Sequence, residues 1–471
     1  MKHNGRELRT TLLSLILLVI FGAGPISSVP TFFSDLAESG GAGANERLID
    51  ELLSSMTDTE MLGQIFLFGW FGSSPSEDIL HWIREEKIGG VKVFGWNAGD
   101  VEQLAESVAT MQRAAADTRL EIPLLVATDQ EGGWVRHIKN RTSITPGNMA
   151  IGATGLPYDA YWSGYHIGME LKMLGINMNF APTVDVYTNT DAHVIGPRAF
   201  SHDPGKTARL AVAYYKGLEK AGVVSTAKHF PGHGNTAEDS HGTLPEIPTT
   251  LSVLWDRELI PYRHLIRKEI PAVMSGHLSF PSVIKKGVPA SLSHFFITEV
   301  LKRRMGFEGI VITDDMRMHA VAARQKSTAQ AFLEAFMAGN DMIMVSRDSE
   351  VHRQVWNFFY DRLQGNEEFR SRLEESVRRI IRVKMRYLRR EDAVPLYPDA
   401  EEVKEKIPSK EAEEFFFDQA CRSVSIIRNA MIPIEKEREN ILIVGQLTRF
   451  LDIGTRYYPN ADILDIPYQP F

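Results

Sequence analysis

Cysteine is almost absent: Cys421 is the single one among 471 residues. That rules out an intrachain disulfide framework and a cysteine-rich metal site. Basic residues are outnumbered as well, with 52 Lys and Arg against 60 Asp and Glu. The formal net charge is −8, and no basic stripe is dense enough to suggest a phosphate-backbone partner, so nucleic acid is disfavoured as a partner. No G-x-G-x-x-G follows the first apolar segment, which removes the fingerprint of a dinucleotide-binding sheet. What remains is ordinary globular material, 44% hydrophobic and 24% charged, enough for one large domain plus something smaller.

At the N-terminus, Lys2, Arg6 and Arg9 precede an apolar run from Leu12 to Ala23 that is followed by small residues. Residues 1–28 are read as a signal peptide, with an uncleaved membrane anchor as the alternative, because the run is short for a spanning helix. The expected location is exported, periplasmic or extracellular, with membrane attachment through the N-terminus if the signal is retained. No cysteine follows the run, so a lipid-modified N-terminus is not supported. Residues 29–45, rich in Ser, Gly and Pro, read as a linker.

From there the chain alternates short apolar runs with helix-like patterns such as VEQLAESVATMQRAAADT. Eight runs stand out: GQIFLFGW, GGVKVFGW, IPLLVATDQEGG, GINMNFAPTVDV, GVVSTAKHFPGHG, PAVMSGHLSF, GIVITDDM and NDMIMVS. Each starts near a Gly, Pro or Asn and is apolar through its middle, as strands covered on both faces by helices must be. Eight β-then-α units imply an α/β fold of the TIM (β/α)8 type over residues 46–391, in preference to a doubly wound open sheet. The polar residues Asp129, Asp185, Lys228, His229, His277 and Asp314 all fall at the same end of their runs. This is the C-terminal rim, where barrel active sites are built.

The stretch HFPGHGNTAEDSH, His229 to His241, concentrates three histidines. His229 and His233 have the spacing by which a helix presents two zinc ligands, but Pro231 and Gly232 between them forbid the helix. No metal and no cofactor are expected. His233, between two glycines, reads as structural, with Pro231, Gly232 and Gly234 shaping the loop. Asp239 and His241 form an Asp-x-His pair in which a carboxylate can hold one imidazole nitrogen while the other meets a substrate, the arrangement of a proton-transfer catalyst. Asp314, following GIVIT at a strand end, has the placement of a carboxylate nucleophile. Adjacent Asp315 reads as a supporting or capping residue, with the reverse assignment as the alternative. A carboxylate nucleophile plus a separate proton donor is the equipment of a retaining glycosidase, here with a histidine in place of the usual second acid.

These residues carry a resemblance. KHFPGHGNTAEDSHGTLPEI is similar to the signature of the β-N-acetylglucosaminidase branch of glycoside hydrolase family 3. DQEGGWVRH, NFAPTVDVYTN, VIGPRAF, VMSGH and VITDDMRM resemble its other motifs, in the same order. The resemblance covers residues of about 48 to 390 and implies the TIM-type fold. It also implies that Asp314 forms a covalent glycosyl-enzyme and that His241, supported by Asp239, is the acid/base. Sugar-binding roles for Asp129, Arg198, Lys228 and His229 follow from it, with Arg136 and His277 as weaker candidates that order the pocket floor. Asn235 stands where the branch often has an acid. The implied substrate is a carbohydrate with terminal β-linked N-acetylglucosamine, in glycans or muropeptides from peptidoglycan. Phosphorolysis of the same intermediate, and a non-catalytic peptidoglycan-binding barrel, are the alternatives.

After the barrel, EFRSRLEESVRRIIRVKMRYLRR reads as a long basic amphipathic helix whose charges form a solvated face. Residues 392–410, rich in Pro and charge, read as a linker. Residues 411–471 hold one helix-like stretch and one strand, NILIVGQL, and resemble the start of a second, truncated α/β domain. That is too little for an independent core.

Overall fold

The computed structural model describes residues 30–33, 42–238, 242–318, 328–346, 349–425, 435, 440–445 and 448–466. They fall into two compact units, one ending at Ser423 and the other beginning at Val424. The export reading falls on residues 1–28, outside the described residues.

All eight apolar runs form strands: β1 (Phe66–Gly69), β2 (Gly90–Val93), β3 (Leu125–Thr128), β4 (Met178–Asn179), β5 (Val224–Phe230), β6 (Ala272–Ser275), β7 (Ile310–Thr313) and β8 (Ile343–Val345). Every residue in them is buried. Burial on both faces is why the runs are continuously apolar instead of alternating. The strands pair in parallel in the order β8-β1-β2-β3-β4-β5-β6-β7. A bridge between Ile312 and Met342 brings β7 back toward β8, completing the TIM-type α/β barrel.

Crossover helices carry their stop signals in sequence. The helix Pro204–Ala221 has Pro at its start, an Asp203 cap accepting from the Lys206 N–H, and Gly222 at φ 87° just past its end. The long helix Glu367–Leu388 buries Phe369, Leu373, Val377 and Ile380. Its basic face is only partly the solvated one expected: Arg382 bonds Glu46 at 2.6 and 2.9 Å, Arg378 lies 2.7 Å from Asp50, and Arg370 bonds Asp58 at 2.7 Å.

Both expected linkers need correction. Residues 29–45 already contain the start of the helix Ala42–Ser55, and Phe32 is fully buried with its N–H on the Leu120 carbonyl at 2.8 Å. Residues 392–410 contain the helix Ala400–Lys406, capped by Asp399, with Val403 and Ile407 buried. The helix Lys410–Ser423 also belongs to the barrel unit: Phe416 is buried, Gln419 Nε2 donates to Ser163 Oγ at 2.8 Å, and Arg422 donates to Asp159 Oδ1 at 2.6 Å. The second unit therefore starts at Val424 instead of 411. Its described part is a β-α-β: strands Leu442–Gly445 and Asp462–Asp465 pair in parallel, with the helix Thr448–Tyr457 between them. Ile443 and Leu451 are buried within it.

Candidate active site

A cavity of about 330 Å³ opens at the C-terminal ends of the strands. Its polar lining is Lys92, Asp129, Glu131, His137, Arg198, Lys228, His229, His233, Asp314 and Asp315. Four of these come from the motif residues just past β3 and at the end of β5, where the backbone leaves the sheet and side chains turn into the barrel mouth.

The turn after β3 shows why DQEGG is built as it is. Gln130–Gly132 and Val135–Arg136 form a short hairpin. Gly132 and Gly133 both have positive φ, and a Cβ on Gly133 would come within 3.0 Å of the Gly147 Cα. Only glycine fits there, and the tight turn leaves Asp129 and Glu131 on the same side of the mouth.

From these carboxylates runs a ladder of alternating charge. Asp129 accepts from Lys92 Nζ on Oδ2 and from Lys228 Nζ on Oδ1. Lys228 also contacts Glu131 Oε1 at 2.5 Å. Glu131 faces Arg198, with Nε to Oε2 at 2.9 Å and Nη2 to Oε1 at 2.8 Å. Burial by itself pushes both acids up. For Asp129, Lys228 and Lys92 more than reverse this, holding the carboxyl well below its usual range. For Glu131, Arg198 and Lys228 bring it down to about 2. Burial draws the Lys92 ammonium down, against the pull of Asp129. Lys92 Nζ also lies 4.6 Å from the Phe180 ring centre and 5.0 Å from that of Phe94.

Arg198 Nη2 then meets His229 Nε2 at 3.2 Å, and His229 Nδ1 meets Asp185 Oδ2 at 2.8 Å. Asp185 Oδ1 accepts the backbone N–H groups of His229, at 3.3 Å, and His233, at 2.7 Å. The loop expected around His233 is thus tied down by one buried carboxylate. Gly234 is required there as well, since a Cβ would lie 2.0 Å from the Val186 carbonyl. The His233 imidazole is brought down to about 4, chiefly by burial and then by neighbouring His229.

Asp314 follows β7, its N–H on the Ser275 carbonyl at 3.0 Å and its Oδ1 accepting from the Asp315 N–H at 2.8 Å. Burial pushes its carboxyl up, but His229, His277, the Asp315 N–H and Lys228 hold it below the usual value. It is ionised and lines the cavity, as a nucleophile must be. Asp315 Oδ1 accepts from the N–H groups of Arg317 at 3.1 Å and Ser346 at 3.2 Å. His277 bridges Ser291 Oγ at 2.7 Å and the Asp315 carbonyl at 3.2 Å. Arg136 donates to the Ser143 carbonyl at 2.8 Å and is not part of the cavity lining. Asn235 donates to Thr249 Oγ1 at 3.2 Å. Asp239 and His241 lie outside the described residues.

The structure thus brings Asp129, Arg198, Lys228, His229 and Asp314 together around one cavity. Reading the sequence alone missed Lys92, Glu131 and His137 as members of it. A lysine inside the apolar run GGVKVFGW was the available signal for Lys92. For Glu131 it was an acid two residues after Asp129, in a turn forced by two glycines.

A parallel eight-stranded barrel with these charged residues at its C-terminal mouth is the architecture of a TIM-barrel enzyme. Residues 49–383 match the glycosyl hydrolase family 3 N-terminal domain, and the chain belongs to that family. It is 34% identical over 324 residues to β-hexosaminidase A of Pseudoalteromonas piscicida, an alignment covering 64% of this chain and 54% of that protein. It is 35% identical over 266 residues to a β-hexosaminidase of Xylella fastidiosa, covering 55% and 76% respectively. Among solved structures, a family 3 β-N-acetylglucosaminidase from Paenibacillus sp. str. FPU-7 superposes with a TM-score of 0.78 at 30% identity, covering 88% of this chain and 81% of that one. The chain thus spans about half the length of the first of these relatives.

Proposed function

We propose that the protein is an exported retaining β-N-acetylglucosaminidase that hydrolyses terminal β-linked N-acetylglucosamine, with peptidoglycan fragments as its substrate class. The observation that carries this reading is the placement of Asp314. An ionised carboxylate at the end of β7 faces a cavity whose other polar side chains are donors and acceptors suited to sugar hydroxyls. In this reading Asp129, Lys228, Arg198 and His229 hold the hydroxyls of the terminal sugar. Asp314 attacks the anomeric carbon as the bond to the leaving oxygen breaks, and His241, supported by Asp239, delivers a proton to that oxygen. His241 then takes a proton from water, which displaces Asp314 and releases the sugar with its configuration retained.

The β-hexosaminidase names of the relatives support the substrate class, and the N-terminal basic and apolar pattern supports export. The test is turnover of an aryl β-N-acetylglucosaminide by the wild-type protein and by Asp314→Ala. The expected outcome is release of aglycone by wild type and a loss of about ten-thousandfold in the variant. A silent wild type, or a variant that works as well, would overturn the mechanism.

A further inference from the structure

Behind the cavity, one side chain that the reaction leaves unused closes a circuit of buried hydrogen bonds. Asn340 lies between the helix Thr328–Ala338 and β8, is fully buried and takes no part in the cavity lining. We propose that Asn340 is a positioning residue for the nucleophile: it locks Ser275 and Ser291, and through them His277, around the Asp314–Asp315 dipeptide.

The Asn340 amide uses both its donors and its acceptor. Nδ2 donates to the Ser291 carbonyl at 2.8 Å and to the Ala335 carbonyl at 2.6 Å, while Oδ1 accepts from Ser275 Oγ at 2.7 Å. Carbonyls only accept, so the amide has one orientation, and an aspartate could not take its place. From here two branches run to the nucleophile. On one, Ser291 Oγ lies 2.7 Å from His277 Nδ1, and His277 Nε2 lies 3.2 Å from the Asp315 carbonyl. On the other, the Ser275 carbonyl accepts the Asp314 N–H at 3.0 Å. Between these two grips, the Asp315 N–H donates to Asp314 Oδ1 at 2.8 Å. The attacking carboxylate is therefore oriented by a dipeptide held at both ends.

Ser275, His277, Ser291 and Asn340 are each 0% exposed. At that depth a deleted link shifts its partner or leaves it unpaired. The two links from Asn340 to the serines span 65 and 49 residues of sequence, so they fix tertiary placement and not a local turn. Misplacing a reacting atom by about 1 Å can cost about a hundredfold in rate. Asp129, Arg198, Lys228 and His229, which hold the sugar in the function proposed above, lie on other segments of the barrel. The inference rests on that function, and it adds a residue remote from the sugar that acts on the chemical step and leaves binding intact.

The test measures kcat/KM on an aryl β-N-acetylglucosaminide and, as a separate report of sugar binding, the Ki of free N-acetylglucosamine. The variants are Asn340→Ala, Ser275→Ala, Ser291→Ala and the double serine variant, with thermal unfolding recorded for each. Ser376→Ala is the control: its buried hydroxyl meets Asp341 at 3.1 Å and no member of the circuit. The expected result is a fall in kcat/KM of about a hundredfold in Asn340→Ala and about tenfold in each serine variant, with Ki within about twofold of wild type. The double serine variant is expected to fall as far as Asn340→Ala, and the control to lose stability while keeping its kcat/KM. If the circuit variants keep kcat/KM, or if Ki rises in step with the loss, the circuit is merely structural and the proposal is wrong. Should Asn340→Ala not fold, the serine variants decide by the same criterion. If wild type turns over no glycoside, the proposed function fails and takes this inference with it.

Discussion

Arg198 and Glu131 meet as a two-pronged ion pair, with side chains only 12% and 1% exposed. The same guanidinium reaches His229 Nε2, so one side chain holds both the carboxylate and the imidazole in place. Lysine keeps the charge but not the fork. Arg198→Lys is therefore expected to lower kcat/KM by about ten- to hundredfold with little loss of stability. Arg198→Met is expected to destabilise by about 3 kcal/mol, because Glu131 loses its principal partner. Steady-state kinetics and urea unfolding of both variants check this; a fully active Arg198→Lys would show that the fork is dispensable.

Lys92 is one of two ammonium groups on Asp129. Removing it in Lys92→Met makes the protonated carboxyl easier to form, so the acid limb of kcat/KM is expected to move to higher pH, with KM raised about tenfold. A pH profile superimposable on wild type would reduce Lys92 to a space-filling role.

His137 gives a pH dependence of stability. Burial, with Lys92 adding to it, brings its imidazole from 6.5 to about 4. The folded state thus holds this histidine neutral where the unfolded chain would protonate it. Its contribution is fully present above about pH 6.5 and is lost as pH falls toward 4, with a slope of up to about 1.4 kcal/mol per pH unit. His137→Gln is expected to flatten the stability profile between those values, as measured by urea unfolding at half-unit steps of pH. An unchanged slope would mean that another group sets it.

The helix Lys410–Ser423 offers a contrast between neighbours. Phe416 is 2% exposed and Phe417 70%. Phe416→Ala is expected to destabilise the barrel unit by about 3–5 kcal/mol and Phe417→Ala by no more than about 0.5 kcal/mol. Equal melting temperatures for the two would place the unit boundary back near residue 411.

The barrel was legible because parallel strands covered on both faces leave eight continuous apolar runs, each opened by a turn residue. The polar residues that close those runs, such as Asp129 and Asp314, were legible for the same reason. Lys92 was not, because a charged residue within an apolar strand gives no hint of whether a carboxylate waits on the neighbouring strand. The ends of the barrel unit were misread through composition. Pro- and charge-rich residues 392–410 look like a spacer until Val403 and Ile407 are seen to be buried, and single apolar residues on a short helix leave almost no periodic signal. Glu131 was hidden by its place inside a glycine turn, where spacing says little about direction.

The ladder at the barrel mouth also bears on how the protein meets its ligand in solution. Lys92, Lys228 and Arg198 alternate with Asp129 and Glu131 at contact distance along the ladder, and Asp314 and Asp315 bring the lining to four carboxylates against these three cations. Such an arrangement projects little field beyond the cavity. Capture of a neutral terminal sugar is therefore expected to depend little on ionic strength, as binding measured across a salt series would show.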